Sequence, residues 1–93
     1  MRYDVWMPRP AYREAASRSE PVPFPAAYDP VGFVDASGLE AAFHAGQNTR
    51  IPWNPARPTR SVSVGDVLTA GTAAWRVADV GFEPIHEASR HLA

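Results

Sequence analysis

Apolar and polar residues alternate in several short stretches of this chain, and each alternation predicts a strand. At residues 2–6, Arg2, Asp4 and Trp6 fall on one side, with Tyr3 and Val5 on the other. Both sides carry an aromatic ring, and Pro8 stops the run. Val31, Gly32, Phe33, Val34 and Asp35 predict a second strand over 31–35. The segment Arg60-Ser61-Val62-Ser63-Val64 alternates again, giving a strand over 61–64 that ends in a Gly65-Asp66 turn. Residues 67–70 predict the next strand, and Ala70-Gly71-Thr72 a hairpin connection. The longest strand is expected over 73–80, with Trp75, Val77 and Asp79 facing one way and Arg76, Ala78 and Val80 the other. Gly81 breaks or bulges it, and 82–85 form a last short strand.

One stretch has a helical period. Leu39, Ala42 and Phe43 share a face. Ser37 followed by Glu40 has the S-x-x-E spacing of a capping box, in which hydroxyl and carboxylate each accept from the other residue's backbone N–H. Gly46 supplies a left-handed stop. The helix predicted over 38–45 is barely two turns, so packing of Leu39 and Phe43 on a sheet must hold it.

Proline divides the rest. Nine of the ten prolines lie in residues 1–58, and only Pro84 follows. Proline avoids helix interiors and central strands, so residues 8–28 read as a long, irregular, partly mobile connection. Ala15 and Ala16 suit a short helical turn within it, and Pro21, Pro23 and Pro25 impose extended backbone around Phe24. Residues 47–59 are polar and Pro-rich around Trp53, and 87–93 are expected to fray. The expected architecture is α+β, a single domain over 1–93. A strongly twisted antiparallel sheet, open or partly closed, carries one short helix.

Composition narrows the function classes. The chain has 93 residues, no cysteine and a net charge of −1. A disulfide framework and a thiolate metal site are impossible without cysteine. No apolar run reaches the roughly 18–20 residues that span a bilayer, and the first residues lack the apolar core of a signal peptide. A cytoplasmic protein is expected. The charge has the wrong sign for general nucleic-acid binding and is too small for a DNA mimic. All nine basic residues are arginine, beside sixteen alanines. That bias fits a GC-rich genome, such as an actinobacterium or its phage, and so the cytoplasm of a host bacterium.

Catalytic and ligand-binding constellations are missing from the sequence. His86 and His91 are five residues apart, not the four that would align them on a helix for zinc, and His44 sits late in the predicted helix. No serine lies in a G-x-S-x-G elbow. The six glycines stand singly, forming neither a P-loop nor a dinucleotide fingerprint. We therefore expect no catalytic residue, metal or cofactor, and a non-enzymatic protein. A small enzyme or nucleotide-binding module assembled from distant residues is the alternative, and a nucleic-acid-related regulator the second.

Two segments hold the site candidates. In Ile51-Pro52-Trp53-Asn54-Pro55 the prolines stiffen a tryptophan flanked by Arg50 and Arg57. Tryptophan and arginine anchor protein interfaces, so Arg50, Ile51, Trp53 and Arg57 are candidate partner-binding residues. The competing role for Trp53 is a lid on the core. In the segment Arg60, Ser61, Val62, Ser63, Val64, Gly65, Asp66, the valines are expected to face a core. Gly65 supplies a positive φ or a close backbone approach. Asp66 caps the turn through its own backbone, and Arg60 pairs with it or with another carboxylate. The main reading of this motif is structural; contact with a ligand is the alternative.

Arg60-Ser61-Val62-Ser63-Val64-Gly65-Asp66-Val67, followed by Trp75-Arg76-Val77 and Val80-Gly81-Phe82-Glu83-Pro84-Ile85, resembles the core of YodL-like proteins. These are small proteins and domains of phages, plasmids and conjugative elements, with an R-S-x-S-V-G-D-[VI] segment and a V-G-F-x-x-I ending. The N-terminal half is similar to small actinobacteriophage proteins in Val5-Trp6-Met7-Pro8, in residues 31–35, and in Leu39-Glu40-Ala41-Ala42-Phe43 with Asn48 and Trp53. Residues 8–25 depart from the pattern. The resemblance implies a mobile-element origin and no established catalytic activity. The expected function is that of a phage accessory protein that binds a host bacterial protein and alters or inhibits it. A growth or division scaffold such as a DivIVA-type coiled coil is one partner considered, and expression toxic to the host would fit.

Overall fold

The computed structural model describes residues 1–86. Strand β1 (Arg2–Pro8) leads through a 3-10 turn at Pro10–Tyr12 into helix α1 (Arg13–Ser17), then strand β2 (Tyr28–Asp35) and helix α2 (Leu39–Ala45). After a long loop come β3 (Val67–Ala70), β4 (Ala73–Val77) and β5 (Phe82–Pro84). The strands form one sheet in the order β2-β1-β3-β4-β5, with every neighbouring pair antiparallel. The architecture is α+β. Among the described residues the sheet is open, with β2 and β5 as its edges, and two short helices accompany it.

β1 lies inside the sheet and is covered on both faces, which explains why both of its sides carry aromatic rings. Tyr3, Val5 and Met7 join Val34, Leu68 and Val77 on one face, under Ala42 of α2 and Val62 of the long loop. On the opposite face Val67, Ala74 and Tyr28 meet Ala16, Val22, Phe24 and Ala27, with Trp6 at the margin. The pleat alternates through the register: Val5 pairs Leu68 and Leu68 pairs Trp75, whereas Trp6 pairs Val67 and Val67 pairs Arg76. Phe24 meets Trp6 edge-on at 5.2 Å and Tyr28 edge-on at 5.4 Å.

Several expectations need correction: β1 runs on to Pro8 and β5 ends at Pro84, not Ile85. Residues 61–64 are not a strand. Val62 is buried but sits on the loop that covers the first core, and its N–H donates to the Gly46 carbonyl at 3.0 Å, so the alternation there records one valine entering the core. β4 ends at Val77, because the Ala78 N–H turns back to the Gly81 carbonyl at 3.0 Å and leaves Val80 92% exposed. The capping box does not form. The N-cap of α2 is Gly38 and no side chain caps it, so Ser37 lies one residue too early and Glu40 falls at the second helical position. Gly46 ends α2 with φ −85°, not in the left-handed region. Its small size matters instead: a Cβ there would lie 2.5 Å from a Val62 methyl.

β2 starts earlier than residue 31 and runs through Pro30, which an edge strand tolerates because its outer face needs no ladder donor. The 8–28 stretch holds the 3-10 turn and α1, and its apolar residues line the second core. The expected fraying of 87–93 lies outside the described residues.

Candidate partner-binding loop and its anchor

The loop from Gly46 to Asp66 is tied down by its own side chains. The Asn48 side-chain carbonyl accepts the Trp53 N–H at 3.0 Å, and its amide nitrogen donates to the Thr59 carbonyl at 2.7 Å. Asn54 Nδ2 donates to the Val31 carbonyl on β2 at 2.9 Å and to Thr59 Oγ1 at 3.3 Å. Gln47 Nε2 donates to the carbonyls of Phe43 and Val62, each at 2.9 Å, joining the loop to α2. Asparagine recurs in turns because its short amide can bond nearby backbone. Here two such residues, in a segment whose prolines already restrict φ, replace regular secondary structure.

Trp53 sits half-buried in this frame. Its indole N–H donates to the Arg60 carbonyl at 2.7 Å, and its ring packs at the margin of the first core. Arg50, Ile51 and Arg57 face outward from the same loop, with Ile51 71% exposed. The candidates thus divide: three side chains are available on the surface, while the Trp53 donor is satisfied within the chain.

The anchor of the loop is the Arg60–Asp66 pair. Arg60 donates through both terminal nitrogens, Nη1 to Asp66 Oδ2 at 2.8 Å and Nη2 to Oδ1 at 2.7 Å. Asp66 Oδ2 also accepts the Ser63 N–H at 2.8 Å. The expected turn cap therefore acts backward, on residue 63. The Asp66 side chain is fully buried, whereas that of Arg60 is 40% exposed. Burial pushes the Asp66 carboxyl above its ordinary value, against the opposing pull of Arg60 and the Ser63 N–H. The hydrogen bond to Asp66 holds the Arg60 guanidinium above its ordinary range. Ser63 Oγ accepts from Arg60 at 3.1 Å, and Ser61 Oγ accepts the Asn48 N–H at 2.7 Å.

Gly65 has φ +94°, and a Cβ on it would lie 2.4 Å from the Ala16 carbonyl oxygen. Both alternatives for this glycine, positive φ and close approach, are realised together. Its N–H donates to the Val77 carbonyl at 2.9 Å, and its carbonyl accepts the Tyr28 hydroxyl at 2.7 Å. Burial raises the Tyr28 phenol above its ordinary value, opposed by a hydrogen bond and the charge of Arg76. Arg76 in turn donates to the Val22 carbonyl at 3.0 Å.

Both oxygens of Asp66 are engaged, so it is not a free base. His44 and His86 are exposed, and His91 lies outside the described residues. Among the described residues, no group of three or more His, Asp or Glu side chains is placed to hold a metal ion, and no helix is long and apolar enough to cross a membrane. Sequence reasoning missed Asn48 and Asn54 as the ties of the loop; their position among prolines around Trp53 was the available signal. It also missed Tyr28 and Arg76, whose partners lie far away in sequence. Comparison with protein-family models, curated proteins and solved structures finds no match.

Proposed function

We propose that this chain is a small accessory protein of the YodL-like kind carried by phages and other mobile elements. It acts in the cytoplasm of a bacterial host by binding a host protein and altering or inhibiting it, without catalysis of its own. The observation that carries the binding function is the 46–60 loop, which presents Arg50, Ile51 and Arg57 to solvent while Asn48 ties its backbone at Trp53 and Thr59 and Asn54 ties it to β2. A surface already held in shape loses less conformational entropy on association. Arginine beside an apolar side chain suits the mixed chemistry of protein interfaces. A growth or division scaffold of the DivIVA type is a target to test first, and its inhibition would make expression toxic.

The experiment measures melting temperature and capture of such a scaffold by tagged protein. Ile51→Asp combined with Arg50→Glu and Arg57→Glu should abolish capture and leave the melting temperature unchanged, because all three side chains are exposed. Capture that persists in this stable variant removes the loop from the interface. No capture by the unaltered protein removes the scaffold as target.

A further inference from the structure

Helix α2 and the turn between β4 and β5 enclose an open groove of about 390 Å³. Phe43, Val64, Val77 and Phe82 supply its apolar lining, and Glu40 and Asp79 also line it. The volume falls within the roughly 300–1,000 Å³ of pockets that take a ligand or side chains of a partner. Val80, between the lining residues Asp79 and Gly81, is 92% exposed.

The charges give this groove a sign. Among the described residues, Asp4, Glu14, Glu20, Asp29 and Asp66 are engaged in ion pairs. Asp35, Glu40, Asp79 and Glu83 are not, and two of these four line the same groove. Both are exposed, so neither is held by the core. An apolar lining with two available carboxylates complements a segment whose apolar side chains are flanked by cations. Among the described residues, His44 is the one basic side chain in the lining.

We propose that this groove binds a protein segment with apolar residues flanked by arginine or lysine. The site shares no residue with the 46–60 loop, so either proposal can fail without the other.

The test uses the full chain, labelled with ¹⁵N, and two synthetic peptides. One has two leucines a helical turn apart, flanked by arginines; its counterpart has glutamates in place of the arginines. The arginine peptide should shift the amides of Phe43, Val77, Ala78 and Phe82, and bind about tenfold more tightly than the glutamate peptide. The double variant Glu40→Lys with Asp79→Lys, checked for an unchanged melting temperature, should reverse that preference. Equal affinity for the two peptides, absence of shifts in the groove, or a preference that survives the double variant each overturns the proposal. Concentration-dependent shifts of the same amides without peptide also overturn it, because they assign the groove to a second copy of the chain.

Discussion

Arg60 and Asp66 bond each other through two hydrogen bonds but do not stand to lose equally. Removing Asp66 leaves a guanidinium that is already 40% exposed and can turn to water. Removing Arg60 strands a fully buried carboxylate with the Ser63 N–H as its remaining bonded partner. Arg60→Ala should therefore cost about 3–5 kcal/mol near neutral pH, and Asp66→Asn about 1–3 kcal/mol. The pH dependence follows from burial, which holds the Asp66 carboxyl above its ordinary 3.8 even with Arg60 in place. Without Arg60 it rises further. Between 3.8 and that raised value the native state binds a proton that the unfolded chain releases, so stability increases as pH falls through the window. Urea melts at about pH 8 and pH 5 should show the Arg60→Ala deficit shrinking on acidification. An equal deficit at both would refute the assignment. Asp66→Asn has no proton to take up and lacks this contribution. Gly65 is constrained twice, by φ +94° and by the Ala16 carbonyl. Gly65→Ala should cost about 2–4 kcal/mol in the same assay, and a change under about 0.5 kcal/mol would show that the turn can relax. The pairing and the positive φ were readable because both depend on residues close in sequence. The Ala16 contact was not, since the fold brings it from the opposite core.

At the scale of elements, periodicity located β1, α2, β3 and β4 and gave β3 both of its ends, but it stopped β1 short of Pro8, started α2 one residue early and ran β4 past Val77. Period-two alternation reports which side chains are buried and leaves open what the backbone bonds to. At Val62 the residue is buried while its N–H goes to Gly46 in place of a neighbouring strand. For α2, the apolar face Leu39, Ala42 and Phe43 was sufficient to locate the helix, and the cap was misplaced by one residue. Because no side chain caps this helix, Ser37→Ala should change stability by less than about 0.5 kcal/mol, read from urea unfolding. A loss of about 1 kcal/mol, typical of a working serine cap, would mean that Ser37 caps α2 in solution. The loop after α2 has a different logic. Asn54 reaches the Val31 carbonyl of edge strand β2, and an uncovered edge invites pairing with another chain. Asn54→Leu keeps side-chain bulk and removes the donor. We expect it to promote self-association at high concentration, measured by analytical ultracentrifugation; a monomer unchanged from the unsubstituted protein would show that the loop does not guard the edge.

The whole molecule is a sheet with two unlike covers, and their joint is Tyr28. One cover is α2 with the loop after it; the other is the Pro-rich segment that carries α1. Tyr28 begins β2, packs on Phe24 of the second cover, and donates its hydroxyl to the carbonyl of Gly65 in the loop that leads into β3. Burial holds its phenol above the ordinary 10.0 despite the opposing influence of Arg76. The sign is that of an acid kept neutral by the fold. Above pH 10.0 the unfolded chain loses this proton while the native state keeps it, so the native state binds more protons. Stability contributed by Tyr28 is complete below that pH and is lost as pH rises toward the native value. Tyr28→Phe retains the ring packing but leaves the Gly65 carbonyl without its donor. It should cost about 1 kcal/mol near neutral pH. It should also remove part of the alkaline decline, so that the stability curves of variant and unsubstituted protein converge above about pH 10. Tyr3 and Tyr12 remain in both proteins, so the comparison isolates Tyr28. Parallel curves across that range would place the Tyr28 hydroxyl in water and remove it as the joint between the two covers.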